Sequence, residues 1–338
     1  MANIMLTKRC NLRCPYCFAE EFVGKSSDDI TLQNLQKAID FALTNEDEEI
    51  GLIGGEPTVH PKFKEILELI INDERIQSCI LFTNGILVDK FVKQLSHPKF
   101  RILINCNSPT DIGEKAFEKT KQNIDLLANE YYMKEKITLG INMYKSDFDY
   151  DYIFGLLNIS DFSSLRTSVS IPNSKEIVKM TSLEYFKMMK PRVLEFYYKL
   201  LDNGVMPFYD CNAIPQCILT PLEYKTLETK IIQNGFEDKN LLSDITSCSP
   251  VIDILPDLHM IRCFALSEYK VKCSDFNNIS EARAYFSNYF DSLAYLINVN
   301  KECDECFNNK TMKCTAGCLA FKIEKMLKAK ERIFEIND

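Results

Sequence analysis

The chain has 338 residues, 46% of them hydrophobic and 26% charged, so it buries a large core and is not a disordered polymer. Forty Lys and Arg against 48 Asp and Glu leave a net charge of −8, which argues against a general nucleic-acid binder. No stretch has the apolar length of a membrane helix, and the start, MANIMLTKRC, lacks a signal peptide's apolar region; together these predict a cytoplasmic protein with no membrane partner.

In chain order, short apolar runs predict strands at Asn3–Thr7, Glu49–Ile53, Ser78–Thr83, Arg101–Asn105, Lys136–Met143 and Arg166–Ile171. Helical periodicity predicts helices near Thr31–Leu43, Phe63–Asn72, Asp89–Leu95, Gly113–Glu130, Tyr150–Leu157 and Ser182–Leu201. Thr31 or Asp29 can cap the first helix, and Gly204 stands where a glycine would end the last. Six strands alternating with six helices predict an α/β fold with a parallel sheet. Roughly 200 residues are too few for eight ordinary β/α units, so a partial (β/α)6 TIM-like barrel is expected over residues 1–204. After Gly204 the runs shorten, prolines (Pro207, Pro215, Pro221, Pro250, Pro256) punctuate the chain and cysteines become frequent. This predicts a small Cys-rich domain over 205–338, closed by an amphipathic helix at Leu319–Ile336.

Fourteen cysteines in a reducing compartment point to core thiols or to metal and cluster ligation rather than disulfides. Cys79 and Cys106 sit inside apolar strand-like runs and read as core. Cys10, Cys14 and Cys17 form C-x3-C-x2-C directly after the first strand, where α/β barrels place their chemistry. Spacing alone leaves a functional cluster, a zinc clip or redox thiols open. A structural zinc wants four ligands, and the nearest further candidate in sequence is His60. Three thiolates on a four-iron cluster leave one iron with open positions, as a reactive site requires.

These residues resemble the hallmark of the radical S-adenosylmethionine (radical SAM) superfamily, C-x3-C-x-aromatic-C, with Tyr16 at the aromatic position. Gly54-Gly55-Glu56-Pro57 after the second strand resembles the family's GGEP segment, and Thr83-Asn84-Gly85 after the third its TNG. The resemblance implies that Cys10, Cys14 and Cys17 hold a 4Fe–4S cluster whose open iron binds S-adenosylmethionine (SAM). It implies that the GGEP segment holds the methionine amino group, the paired glycines allowing close backbone approach. Asn84 could bond the cofactor or form a turn. Asn105, Asn107, Asn142 and Ser170 occupy strand-end positions where relatives contact ribose and carboxylate, although such residues are often turn formers. Tyr16 and Phe18 would pack on the adenine side, or only pack the loop.

Cys303-x2-Cys306 and Cys314-x3-Cys318 resemble the SPASM or twitch extension of that superfamily, which binds one or two auxiliary 4Fe–4S clusters. Cys248, a Pro256-Asp257-Leu258 turn and Cys263 resemble its upstream half. A zinc ribbon is the plainer alternative. Seven residues rather than five separate Cys306 from Cys314, Leu258 stands where relatives carry Gly, and no cysteine follows Cys318. The resemblance places Cys248, Cys263 and Cys318 on one cluster and Cys303, Cys306 and Cys314 on another, so that Cys314 and Cys318 serve different clusters. Cys211, Cys217 and Cys273 are the spare thiolates.

The implied activity is reductive cleavage of SAM to a 5′-deoxyadenosyl radical that abstracts hydrogen from substrate, in an oxidoreductase or peptide-maturase setting. A ribosomally made peptide is the expected substrate, crosslinked, joined by a thioether or epimerised; a small-molecule metabolite is the alternative. A non-catalytic interaction protein stabilised by zinc or a cluster is the competing class. Phe264 after Cys263 counts against sulfatase maturation, which uses an acidic residue there. With nine residues before Cys10, no fused peptide-recognition domain is expected, so a peptide would dock directly or through a separate recognition protein. A flavodoxin or ferredoxin is the expected electron donor. No residue is assigned to radical quenching.

Overall fold

A computed structural model describes the chain except residues 18, 21, 25–27, 44–46, 172–178, 210–211, 213, 237–240, 243–250, 297 and 324–338. Phe18, Cys211 and Cys248 therefore lie outside the described residues, as does the final helix beyond residue 323. The chain forms two compact units: Met1–Asn142 with Asp149–Leu165 and Val251–Ala284, and Met143–Phe148 with Arg166–Pro250 and Tyr285–Asp338.

In the first unit, β1 (Ala2–Met5), β2 (Glu49–Ile53), β3 (Ser78–Thr83), β4 (Phe100–Asn105) and β5 (Ile137–Met143) pair in parallel in that order. The connections carry α1 (Leu32–Ala42), α2 (Phe63–Asn72), α3 (Val92–Leu95), α4 (Pro109–Ile112) and α5 (Glu114–Asp125), so the β/α alternation holds, as the parallel sheet requires. Ile4, Leu52, Leu81, Ile102 and Ile137 stand in register and are all buried. Along β3 burial alternates strictly, with Ser78, Ile80 and Phe82 only half-buried, so the sheet has one sealed face and one partly open. Helix α1 starts where expected because the Thr31 hydroxyl accepts from the Asn34 amide at 3.0 Å. The helix expected over Gly113–Glu130 runs as α5 and finishes in a π-turn at Leu126–Glu130.

The expected boundary at residue 204 does not coincide with the compact units. The segment Val251–Ala284 belongs to the first unit, because β8 (Asp253–Ile254) completes the open edge of β1 in parallel, with Asn3 donating its backbone N–H to Ile252 O at 2.9 Å. Strands β9 (His259–Ile261) and β10 (Val271–Lys272) extend that edge antiparallel. In the β8–β9 turn Leu258 has φ +64°, a left-handed conformation that costs an L-residue about 1–2 kcal/mol.

Asp253 on β8 is buried and accepts from the Asn3 side-chain amide at 2.8 Å. Burial raises its carboxyl to about 7, partly offset by that bond. A folded-state pKa above the unfolded value of 3.8 makes the contribution full at low pH and lost as pH rises to 7. Three units at about 1.4 kcal/mol each amount to about 4 kcal/mol. Urea titrations of the wild type and Asp253→Asn between about pH 4 and 8 should show the variant gaining on the wild type by that order. Parallel pH profiles would contradict the assignment.

The second unit contains most of β6 (Ser164–Val169), together with β7 (Met206–Tyr209) and α7 (Ser182–Asp202). A reciprocal Thr181–Glu184 capping box starts α7. Phe148 and Phe196 meet edge-on at 5.9 Å in its core. Among the described residues, no helix is long and apolar enough to cross a membrane.

Candidate active site

β1 ends at Met5, and the chain then leaves the sheet: Thr7 bridges to Asp29, and its hydroxyl donates to the Asp29 carboxylate at 2.6 Å. The cysteine loop follows. Cys10, Cys14 and Cys17 are all half-buried and reach one another electrostatically. Burial raises all three thiols; Cys14, with both neighbouring sulfurs adding to the effect, is pushed up to about 12. A neutral thiol trio is what this cradle favours until a cation supplies the charge that deprotonates it. Leu12 donates its backbone N–H to Cys10 Sγ at 3.4 Å, a contact suited to a ligating thiolate.

The two glycines of the GGEP segment answer to the cysteine loop. Gly54 follows β2, and a Cβ there would stand 2.8 Å from Thr7 O; at Gly55 it would stand 2.2 Å from Arg9 O and 3.1 Å from Cys10 Cβ. The close approach lets the Gly55 and Glu56 N–H groups donate to Thr7 O and Arg9 O, both at 2.8 Å. Glycine is therefore needed here to dock two loops, whatever else the segment contacts.

Glu56 is 1% exposed and bonded on both oxygens. The Thr58 and Thr83 hydroxyls donate to Oε1 at 2.6 Å each, and the Asn84 N–H donates to Oε2 at 2.8 Å. Burial raises its pKa against those bonds. Glu56 and Thr83 thus clamp the GGEP and TNG segments together, while Pro57 opens a short 3-10 turn. The Asn84 side chain donates to Asn11 Oδ1 at 2.8 Å, so the third strand's loop also grips the cysteine loop.

Asn105 ends β4, and Asn107 sits two residues on, buried, with Cys14 Sγ 3.8 Å from its Oδ1. Asn142 on β5 shares a hydrogen bond with the Tyr16 hydroxyl. Burial, and next the nearby Cys14, hold the Tyr16 phenol well above its ordinary value. The structure therefore brings Tyr16, Gly54, Gly55, Glu56, Thr83, Asn84, Asn107 and Asn142 around the Cys10–Cys17 loop in the first unit. Ser170 lies in the second, its N–H donating to Met143 O at 2.8 Å and its carbonyl accepting from the Tyr185 hydroxyl at 2.5 Å. Cys79 and Cys106 are core residues, 0% and 2% exposed.

Sequence reasoning missed Asn11, Asp111, Asn123 and Tyr152. Asn123 on α5 is buried and holds the TNG turn by donating to Gly85 O at 2.8 Å. The Tyr152 hydroxyl donates to Cys106 O at 2.8 Å, and the Asp111 carboxylate raises the pKa of Cys14, Tyr16 and Tyr152. Their only signal is three-dimensional, since each acts on a partner at least 30 residues away. Among the described residues no group of three or more His, Cys, Asp or Glu closes around a single metal ion. Three thiols on one loop are the donor set of a four-iron cluster with one open iron, whereas a structural zinc wants a fourth ligand.

Among the remaining cysteines, Cys263 and Cys273 lie in the first unit and Cys217, Cys303, Cys306, Cys314 and Cys318 in the second. Cys273 is buried and raised to about 12 by burial, with Asp257 and Asp275 adding to the effect. Ala316 and Gly317 have φ +53° and +100°, a backbone reversal between Cys314 and Cys318.

Residues 4–149 match the family model described as the Radical SAM superfamily. A GTP 3′,8-cyclase of Alkaliphilus metalliredigens is 33% identical over 95 residues, which cover 28% of this chain and 30% of that protein. A GTP 3′,8-cyclase of Clostridium perfringens is 28% identical over 165 residues, 47% of this chain and 50% of that protein. The chain thus matches half or less of these relatives' lengths. In fold, it resembles Streptococcus suis SuiB bound to S-adenosylmethionine, with TM-score 0.60 and 13% identity over 94% of this chain and 72% of SuiB. SuiB bound to its precursor peptide SuiA gives TM-score 0.60 at 14% identity, covering 94% and 71%. The GGEP and TNG loops docked on the Cys10–Cys17 loop lie wholly inside the matched segment, and residues 4–149 therefore form a radical SAM superfamily domain.

Proposed function

We propose that the chain is a radical SAM peptide maturase. The observation that carries the chemistry is the trio of half-buried thiols, Cys10, Cys14 and Cys17, with two glycine-docked loops against it. When bound there, a three-thiolate four-iron cluster with SAM on its open iron supplies reductive cleavage to a 5′-deoxyadenosyl radical. The chain's own residues fix the loop that holds this group: Gly55 and Glu56 through their N–H groups, Asn84 through Asn11. The buried Glu56 clamp keeps those loops from separating. Asn107 beside Cys14 and Asn142 bonded to Tyr16 offer polar atoms for the cofactor's ribose and carboxylate, with Tyr16 on the adenine side.

The peptide substrate is supported by likeness to SuiB over 94% of the chain, which includes the Cys-rich region. Likeness to GTP 3′,8-cyclases spans only 28% and 47% of the chain and speaks for the shared chemistry. The cyclases keep a nucleotide or other small molecule as the second reading. We further place one or two auxiliary clusters in residues 205–338, where the C-terminal cysteines gather. We also propose a cytoplasmic location and a flavodoxin or ferredoxin donor. Anaerobic reaction with SAM and dithionite, with GTP in one arm and a candidate precursor peptide in the other, tests the substrate. Consumption of GTP with the peptide untouched would replace the first reading by the second.

A further inference from the structure

We propose that Cys217 completes a four-thiolate site with Cys303, Cys306 and Cys314, in place of a cysteine downstream of Cys318. This rests on the reading that the second half of the chain carries an auxiliary cluster. All four residues belong to the second unit. Cys303 and Cys306 share one turn, Cys306 donating its N–H to Cys303 O at 3.1 Å. Cys314 follows a loop closed by its own N–H on Asn308 O at 3.1 Å and by the Asn309 side-chain amide on Cys314 O at 3.1 Å. Ala316 donates its N–H to Cys314 Sγ at 3.4 Å, as at Cys10.

The 85 residues between Cys217 and Cys303 are closed by packing. Cys217 occupies the short 3-10 turn Gln216–Ile218, and Ile218 packs on the apolar cluster of Leu183, Cys303 and Ala316. Lys190 anchors the turn by donating to Ile218 O at 3.1 Å and to the Glu223 carboxylate at 2.8 Å. On the opposite side, Ala316 O accepts from Ser182 Oγ at 3.1 Å and from the Asn300 amide at 3.0 Å. Gly317 lies so close that a Cβ would meet Ser182 Oγ at 2.4 Å. Cys314 and Cys306 reach the Cys217 sulfur electrostatically, and all three reach Cys303. Cys217 itself is exposed. The acidic groups that reach Cys273 are instead Asp257 and Asp275, and it lies in the other unit. Four thiols from two segments, with a backbone N–H on one sulfur, form the donor set of a cluster closed to exogenous ligands.

Differential alkylation of the unmutated full chain tests this. Iron-loaded and chelator-stripped protein are treated with iodoacetamide and each cysteine is read by mass spectrometry. Cys217 should be modified at least about tenfold more after stripping, because a metal-bound thiolate is not free to react. Buried Cys79 should stay unlabelled in both states, reporting that the fold persists. In a Cys10→Ala, Cys14→Ala, Cys17→Ala background, a further Cys217→Ala should remove about four irons or change the cluster's EPR signal, whereas Cys273→Ala should not. Equal alkylation of Cys217 in both states, with iron retained, would overturn the ligand assignment alone. Absence of auxiliary iron and sulfide from the triple variant would overturn both this site and the auxiliary-cluster reading.

Discussion

Replacing Cys10, Cys14 and Cys17 together by Ala should abolish release of 5′-deoxyadenosine from SAM, leaving only the enzyme-free background. The three thiols share one short loop and lie within electrostatic reach of each other. Burial raises all three thiols, so iron must displace their protons to bind, and Ala at all three positions removes every thiolate of the loop. Anaerobically reconstituted wild type and variant, given SAM and dithionite, are compared by chromatography of the nucleoside product. Iron lost from the variant should match one cluster, about four per chain. Release at the wild-type rate from the triple variant would refute the site.

Gly55→Ala should be nearly as damaging, although it removes no ligand. The added carbon would meet Arg9 O at 2.2 Å and Arg9 C at 2.7 Å, and both are backbone atoms that no rotamer change can move aside. The GGEP segment must then back away from the cysteine loop, breaking the Gly55 and Glu56 N–H bonds to Thr7 O and Arg9 O. Overpacking of this kind costs about 1–3 kcal/mol or more in stability. A displacement near 1 Å at a reacting centre costs on the order of 100-fold in rate. Gly155 in α6 (Asp151–Leu157) is the control: nothing lies within 4 Å of its missing Cβ, so Gly155→Ala should gain about 0.5–1 kcal/mol and keep full activity. Thermal melts and deoxyadenosine release of the two variants, measured side by side, check the pair. A Gly55→Ala protein with wild-type melting and turnover would show that the loops are not docked as described.

The repeating units and the cysteine loop are legible along the chain. Period-two and period-3.6 patterns depend on neighbours along the chain, so Glu49–Ile53, Ser78–Thr83 and Phe63–Asn72 form as their sequences dictate. The C-x3-C-x2-C spacing is equally local, since one loop brings its three thiols together. Whatever depends on distant partners becomes visible in the fold alone. Val251–Ala284 returns to the first unit because the edge of β1 leaves backbone groups that β8 can satisfy, and no local pattern records which edge that is. The GGEP glycines look from sequence like a ligand-facing turn, yet the space beside them is filled by Thr7 and Arg9 backbone. The oxygens of Glu56 are occupied by Thr83 and Asn84, 27 and 28 residues on, a pairing that no local pattern records. Cys217 reads as a spare thiolate until Ile218 packs beside Cys303 and sets it near Cys306 and Cys314. In each case a group's chemistry is set by what fills the space around it, and that is fixed when distant segments bury their surfaces together.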